Sequence, residues 1–86
     1  KGDFHAITKI GQNGFYQCTS LEILIIRTPT VCELSSGTIF NGSKIFSGTG
    51  YIYVPSTLVN SYKTATNWAT YADQIRAIED YPDICG

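Results

Sequence analysis

Methionine is absent from this chain. A complete translation product begins with one, so the sequence is expected to be a processed piece or a fragment in which no signal peptide can be sought. Charge is scarce as well: six Lys and Arg stand against seven Asp and Glu, for a net charge of -1. That balance lacks the positive footprint that nucleic acid or an anionic membrane surface demands. Long apolar runs are missing too, since a spanning helix needs ~20 such residues and the best stretch, Leu21 to Ile26, contains Glu22. Neither nucleic acid binding nor membrane insertion is expected.

The residues that carry chemistry are equally sparse. His5 is the only histidine, so a Ser-His-Asp or metal-binding arrangement lacks its partners. Cys18, Cys32 and Cys85 have neither zinc-ligand spacing nor a C-x-x-C arrangement. Cys18 and Cys32 fall at positions expected to point inward, where a thiol behaves as a small hydrophobe. Gly48-Thr49-Gly50 has Tyr53 where a phosphate loop needs its third glycine, and reads as a plain turn. Glu79, Asp80 and Asp83 are interrupted by Pro82, have no calcium-loop spacing, and read as a solvated tail. Asn41-Gly42-Ser43 satisfies the glycosylation triplet, which matters only in a secretory pathway that adds glycans. No catalytic residue, cofactor or metal ligand is expected, and the chain is not expected to be an enzyme.

What the chain does contain is a repeat. Ile7, Ile10, Phe15, Cys18 and Leu21 have apolar or small counterparts at Val31, Leu34, Phe40, Ser43 and Phe46, at an offset of 24 and then 25 residues. The same register sets Ile23, Leu24, Ile25 and Ile26 against Tyr51, Ile52, Tyr53 and Val54, with the Gly-bearing segment 47–50 as extra residues. A unit of that length, turning apolar side chains inward once per copy, predicts a stacked array. Leu21 to Ile26, followed by Pro29, is the strongest strand, with Tyr51 to Val54 as its second copy before Pro55.

The residues Ile10 to Ile26, read as I-G-x-x-G-F-x-x-C-x-S-L-x-x-L-x-I, resemble the leucine-rich repeat of bacterial surface-antigen (BspA-like) type, with Gly14 where that family usually has Ala. TVCEL, GYIYVP and LVNSYKTATNWATYADQI resemble the end of such arrays in gut-bacterial surface proteins and phage structural proteins. The resemblance covers roughly residues 7 to 80. It implies a helical turn over Gln12 to Tyr16 that tucks Phe15 inward, and an extracellular or bacterial cell-surface setting. It is unspecific for activity, because that family is defined by its scaffold.

Beyond Pro55 the apolar spacing changes. Leu58, Tyr62, Ala65 and Ala69 recur at helical intervals, with Asn67 as an interruption and Trp68, Tyr71, Ala72 and Ile75 as a second helical set. Trp68 reads as core of that region in preference to a carbohydrate platform. Ile75 to Glu79 is expected to run back as an extended edge segment, and residues 80–86 to form a frayed tail. The expected fold is thus α/β, or by another convention α+β, as a single domain over 1–86. It comprises a leucine-rich-repeat solenoid fragment of about two turns with short stacked strands at 7–54, a helical carboxyl-terminal cap at 55–80 and a tail at 81–86.

Register then places the candidate working surface. If Leu21, Leu24 and Ile26 point inward, Ile23, Ile25, Tyr51 and Tyr53 face outward with Arg27 at the rim, an apolar patch that either touches a partner or is covered by a neighbouring segment. The implied function is a non-enzymatic adhesion or interaction module for a protein or glycan. The alternative is a structural or receptor-contacting part of a phage or prophage tail. An amino-terminal strand edge is also expected to be open to self-association.

Overall fold

The computed structural model describes residues 2–4, 9–11, 21–35, 40 and 42–85. Ile7, Phe15, Cys18, Asn41 and His5 lie outside them, as do the helical turn expected over 12–16 and any stacking of Phe15 on Phe40.

Four strands make the main sheet: β1 (Gly2–Phe4), β3 (Ile23–Ile26), β5 (Tyr51–Val54) and β6 (Ile75–Ala77). They lie side by side in that order, all parallel. The register is the one the repeat predicts, with Leu24 opposite Ile52 and Ile23 opposite Tyr51. β2 (Lys9–Ile10) and β4 (Glu33–Leu34) form a second, two-stranded parallel sheet. The helical pieces are short: α1 (Lys44–Ser47), α2 (Val59–Thr64) and α3 (Pro82–Cys85), with 3-10 turns at Ser56–Leu58, Trp68–Gln74 and Ile78–Asp80.

The expected solenoid with a helical cap is corrected by this arrangement. The molecule measures 28 × 24 × 23 Å with a radius of gyration of 11.4 Å. A compact domain of this length has roughly 12 Å, so the body is a small, nearly isotropic α/β unit and no elongated array. The physical reason lies in residues 55–80. After α2 and the Trp68–Gln74 turns they return as β6 and extend the main sheet beside β5, so they complete the layer they were expected to close off.

Parallel pairing needs long connections, and these bury apolar side chains on the sheet's inner face. Leu24, Ile26, Ile52, Val54 and Ile75 form that face, packed with Ile10, Leu34, Phe40, Ile45, Tyr62, Trp68 and Tyr71. Phe46, assigned inward as the counterpart of Leu21, is about half exposed while Ile45 beside it is fully buried. The cause is local, because Ser43 caps α1 and so fixes which side of that helical turn faces the core. Its hydroxyl donates to the Phe40 carbonyl at 2.6 Å and accepts from the Phe46 N–H at 3.4 Å. Val31, likewise expected inward, is 37 % exposed.

The aromatic residues tie the helical region to the second sheet. The Trp68 indole N–H donates to the Cys32 carbonyl at 2.7 Å, and the Cys32 N–H donates to the Tyr62 hydroxyl at 2.7 Å. Tyr62 and Trp68 meet edge to face at 5.2 Å, and Phe40 and Tyr71 do so at 5.4 Å. Trp68 is thus core, as its spacing indicates. Asn67 is the break between the helical pieces. It has φ of 69°, and its side-chain amide donates to the Leu34 carbonyl at 2.6 Å, which holds the turn against β4.

Gly50 marks the tightest backbone approach. A Cβ there would sit 2.7 Å from the Glu22 carbonyl oxygen, which itself accepts the Tyr51 N–H at 2.9 Å. Gly50→Ala therefore has to push β5 away from β3. It is expected to lower unfolding stability by about 1–3 kcal/mol, seen as a lower urea midpoint at unchanged slope. An unchanged midpoint would show that the two strands have room to part.

Candidate functional site

Alternation along β5 places Ile52 and Val54 in the main core and turns Tyr51 and Tyr53 to the opposite face. Across the ladder, Ile23 stands beside Tyr51, and Ile25, Tyr53 and Arg76 form one transverse row. The expected outward residues do share a face. Their exposure, however, differs from the expectation.

Ile25 is fully buried and Tyr53 is 3 % exposed. Ile23 and Arg27 are half-buried, and only Tyr51, at 40 %, keeps a large exposed surface. The cover is the carboxyl-terminal segment, so the frayed tail expected at 81–86 is corrected as far as Cys85. The Tyr81 N–H donates to the Ile78 carbonyl, and the Ile84 and Cys85 N–H groups donate to the Tyr81 carbonyl, which winds the segment into a compact turn. Cys85, Tyr81, Ile84 and Ile78 then pack on Ile25, Tyr53 and Ile23. Tyr81 meets Tyr53 edge to face at 5.3 Å, and the Arg27 guanidinium donates to the Cys85 carbonyl. Glu79, expected in a solvated acidic tail, anchors the start of this segment. Its carboxylate accepts from the Ser56 N–H at 3.0 Å and from the Ser56 hydroxyl at 3.1 Å. Backbone hydrogen bonds, its own first and then that of Ser56, hold its carboxyl below the ordinary range.

The tail stops short of Tyr51, and a cleft of about 280 Å³ remains, lined by Tyr51, Tyr53, Arg76, Tyr81 and Ile84. Among the described residues Arg76 is the one cation in it. Its guanidinium carbon lies 5.0 Å from the centre of the Tyr51 ring, and Nη1 donates to the carbonyls of Asp73 at 2.6 Å and Ile75 at 3.2 Å. Among the described residues no carboxylate pairs with it. Tyr51 and Tyr53 lie 6.4 Å apart at a tilt of 47°. Arg76, Tyr81 and Ile84 are the members that sequence reasoning missed. Arg76 alone had a signal, since it sits between the buried Ile75 and Ala77 in a period-two stretch.

A larger concavity of about 600 Å³ lies beside the second sheet, among Lys9, Glu33, Leu34, Asn67 and Trp68. We favour the smaller cleft as a site because Lys9, Glu33, Asn67 and Trp68 of the larger one already have partners. Lys9 and Glu33 pair across the strands at 3.4 Å, and the Asn67 amide and the Trp68 indole N–H serve Leu34 and Cys32. The Cys32 thiol is buried, and burial first, then the Glu33 charge, push its pKa up, so it stays protonated and a poor nucleophile. Among the described residues no three His, Cys, Asp or Glu side chains converge as a metal site requires.

Comparison of the chain with protein-family models, with curated proteins and with solved structures gives no match.

Because Ile25 and Tyr53 are core, Ile25→Ser and Tyr53→Ser are each expected to lose at least ~2 kcal/mol, a drop in melting temperature of roughly 8 °C or more for a domain this small. A melting temperature unchanged by both would mean that the tail does not cover them. Alkali offers a second measurement. Burial raises the pKa of Tyr53, Tyr62 and Tyr71 above the ordinary tyrosine value of about 10. Their protonated forms are favoured in the folded state, so this stability is fully present below pH ~10 and is lost as pH rises through the raised values. Urea midpoints should hold through neutral pH and fall above that point; a rise there would contradict it.

Proposed function

We propose that the chain is a non-enzymatic interaction module whose point of contact is the cleft at Tyr51, Arg76 and Tyr81. One observation carries this reading: a half-buried guanidinium, without a carboxylate partner among the described residues, stands over an exposed tyrosine ring in a cleft walled by two further aromatics. Aromatic and arginine side chains in a partly desolvated setting are the ones that dominate binding energy at interfaces. The arrangement offers stacking surface and positive charge, and among the described residues no acid, base or nucleophile set stands with it. The resemblance of Ile10 to Ile26 to surface-antigen repeats supports a setting on the bacterial cell surface, where such a cleft would meet a protein or a glycan.

The test is a titration of the isotopically labelled chain with peptide and oligosaccharide panels, followed by resonance shifts. Binders should move the signals of Tyr51, Arg76 and Tyr81. Tyr51→Ser should weaken them about tenfold or more while shifting the melting temperature by less than about 4 °C, since Tyr51 is a surface residue. Binders that map around Trp68 instead, or a ligand turned over into product, would overturn the reading.

A further inference from the structure

We propose that the Tyr51 cleft accepts a sugar ring carrying one carboxylate, a ligand of the uronic-acid type; this rests on the cleft being the contact point argued above. Charge is the first argument. The Nη1 bonds to the Asp73 and Ile75 carbonyls fix the guanidinium in place and leave its remaining N–H groups without a partner among the described residues. A fixed, half-buried cation over an aromatic ring favours an anion that accepts charge-assisted hydrogen bonds from those groups. One guanidinium matches the single charge of a carboxylate, whereas a phosphate group of roughly -1.5 to -2 usually recruits several cations.

Shape is the second argument. The cleft holds about 280 Å³, just below the ~300–1,000 Å³ of small-molecule pockets, so it takes a single ring. Its walls are the side chains of Tyr51, Tyr53, Tyr81 and Ile84, which suit the C–H face of a saccharide. Peptide recognition by strand addition works through main-chain hydrogen bonds along a run of residues at ~3.3 Å each, and a one-ring cleft walled by side chains does not supply that run. Tyrosine hydroxyls, able to donate and accept, fit a ligand rich in hydroxyl groups.

Three probes decide the matter with the full chain at low salt: methyl β-glucuronide, methyl β-glucoside, and an acetylated dipeptide ending in a free carboxylate. The glucuronide is expected to shift the Tyr51 and Tyr81 ring signals and the Arg76 side-chain N–H, and to bind at least tenfold tighter than the glucoside. Salt should weaken it. Arg76→Gln should remove the difference between the two sugars, and Arg76→Lys, which keeps the charge, should retain part of it even if Gln perturbs the fold. Equal binding of both sugars, or no shift with either, overturns the proposal. A dipeptide that moves these signals while the sugars do not also overturns it, yet leaves the cleft as a contact point. That broader reading falls if binders map elsewhere on the molecule or a ligand is turned over into product.

Discussion

A parallel sheet has to be covered on both faces, because its strands are joined by long crossovers and carry apolar side chains on either side. In this chain that requirement governs almost everything else. The inner face of β3, β5 and β6 is covered by the material between the strands, with Phe40, Ile45, Tyr62, Trp68 and Tyr71 as its largest contributors. Among the described residues the carboxyl-terminal segment covers the outer face, where Ile78, Tyr81, Ile84 and Cys85 serve. The Arg27 bond to the Cys85 carbonyl and the Glu79 bonds to Ser56 fasten the two ends of this short cover.

The second sheet cannot stand by itself, since each of its strands has two residues. Its support comes from side chains standing where a third strand would. The Cys32 peptide gives its N–H to Tyr62 and its carbonyl to Trp68, and the Leu34 carbonyl takes the Asn67 amide. These polar groups would otherwise be buried without partners, at a cost of about 1–3 kcal/mol each. The aromatic cluster therefore supplies hydrogen bonds as well as apolar area. Gln74 plays the same part at α1, donating to the carbonyls of Ile45 and Gly50.

Much of the strand layout was legible in the sequence. The spacing of Ile23 to Ile26 against Tyr51 to Val54 fixed their pairing and the face of every side chain, because a slip of one residue would have turned Leu24 and Ile52 outward. Trp68 and Tyr62 as core followed from periodicity, and the extended segment expected over Ile75 to Glu79 is a strand as far as Ala77. The overall form did not follow. Local spacing says which strands are neighbours and says little about how far the stack continues, and the return of Ile75 to Ala77 into the main sheet made a compact body of what read as an array with a cap. The tail misled for a different reason. Asp80, Pro82 and Asp83 give it the composition of a loop, while its apolar members, Tyr81, Ile84 and Cys85, are too few to show a period. Two of the five residues of the candidate site were thus visible, Tyr51 and Tyr53 from β5, while Arg76 comes from β6 and Tyr81 and Ile84 were hidden in the segment that folds over them.

The place of the cleft follows from two lengths. β6 begins at Ile75, opposite Ile52, so Tyr51 has no partner residue on that strand. The tail covers the sheet as far as Tyr53 and ends its coverage at Tyr81. Tyr51 is therefore left where strand and tail both fall short, and Arg76, held by the carbonyls just before it, spans the remaining gap above the ring. A cover that closed this row would bury the guanidinium beneath it. A closed row would have gained apolar burial, but it would have placed an unpaired charge in a dry interior, at a cost of several kcal/mol. Leaving the cleft open keeps Arg76 partly hydrated. The charged aromatic cleft thus lies at the margin of the cover that Ile78, Tyr81, Ile84 and Cys85 place on the outer face.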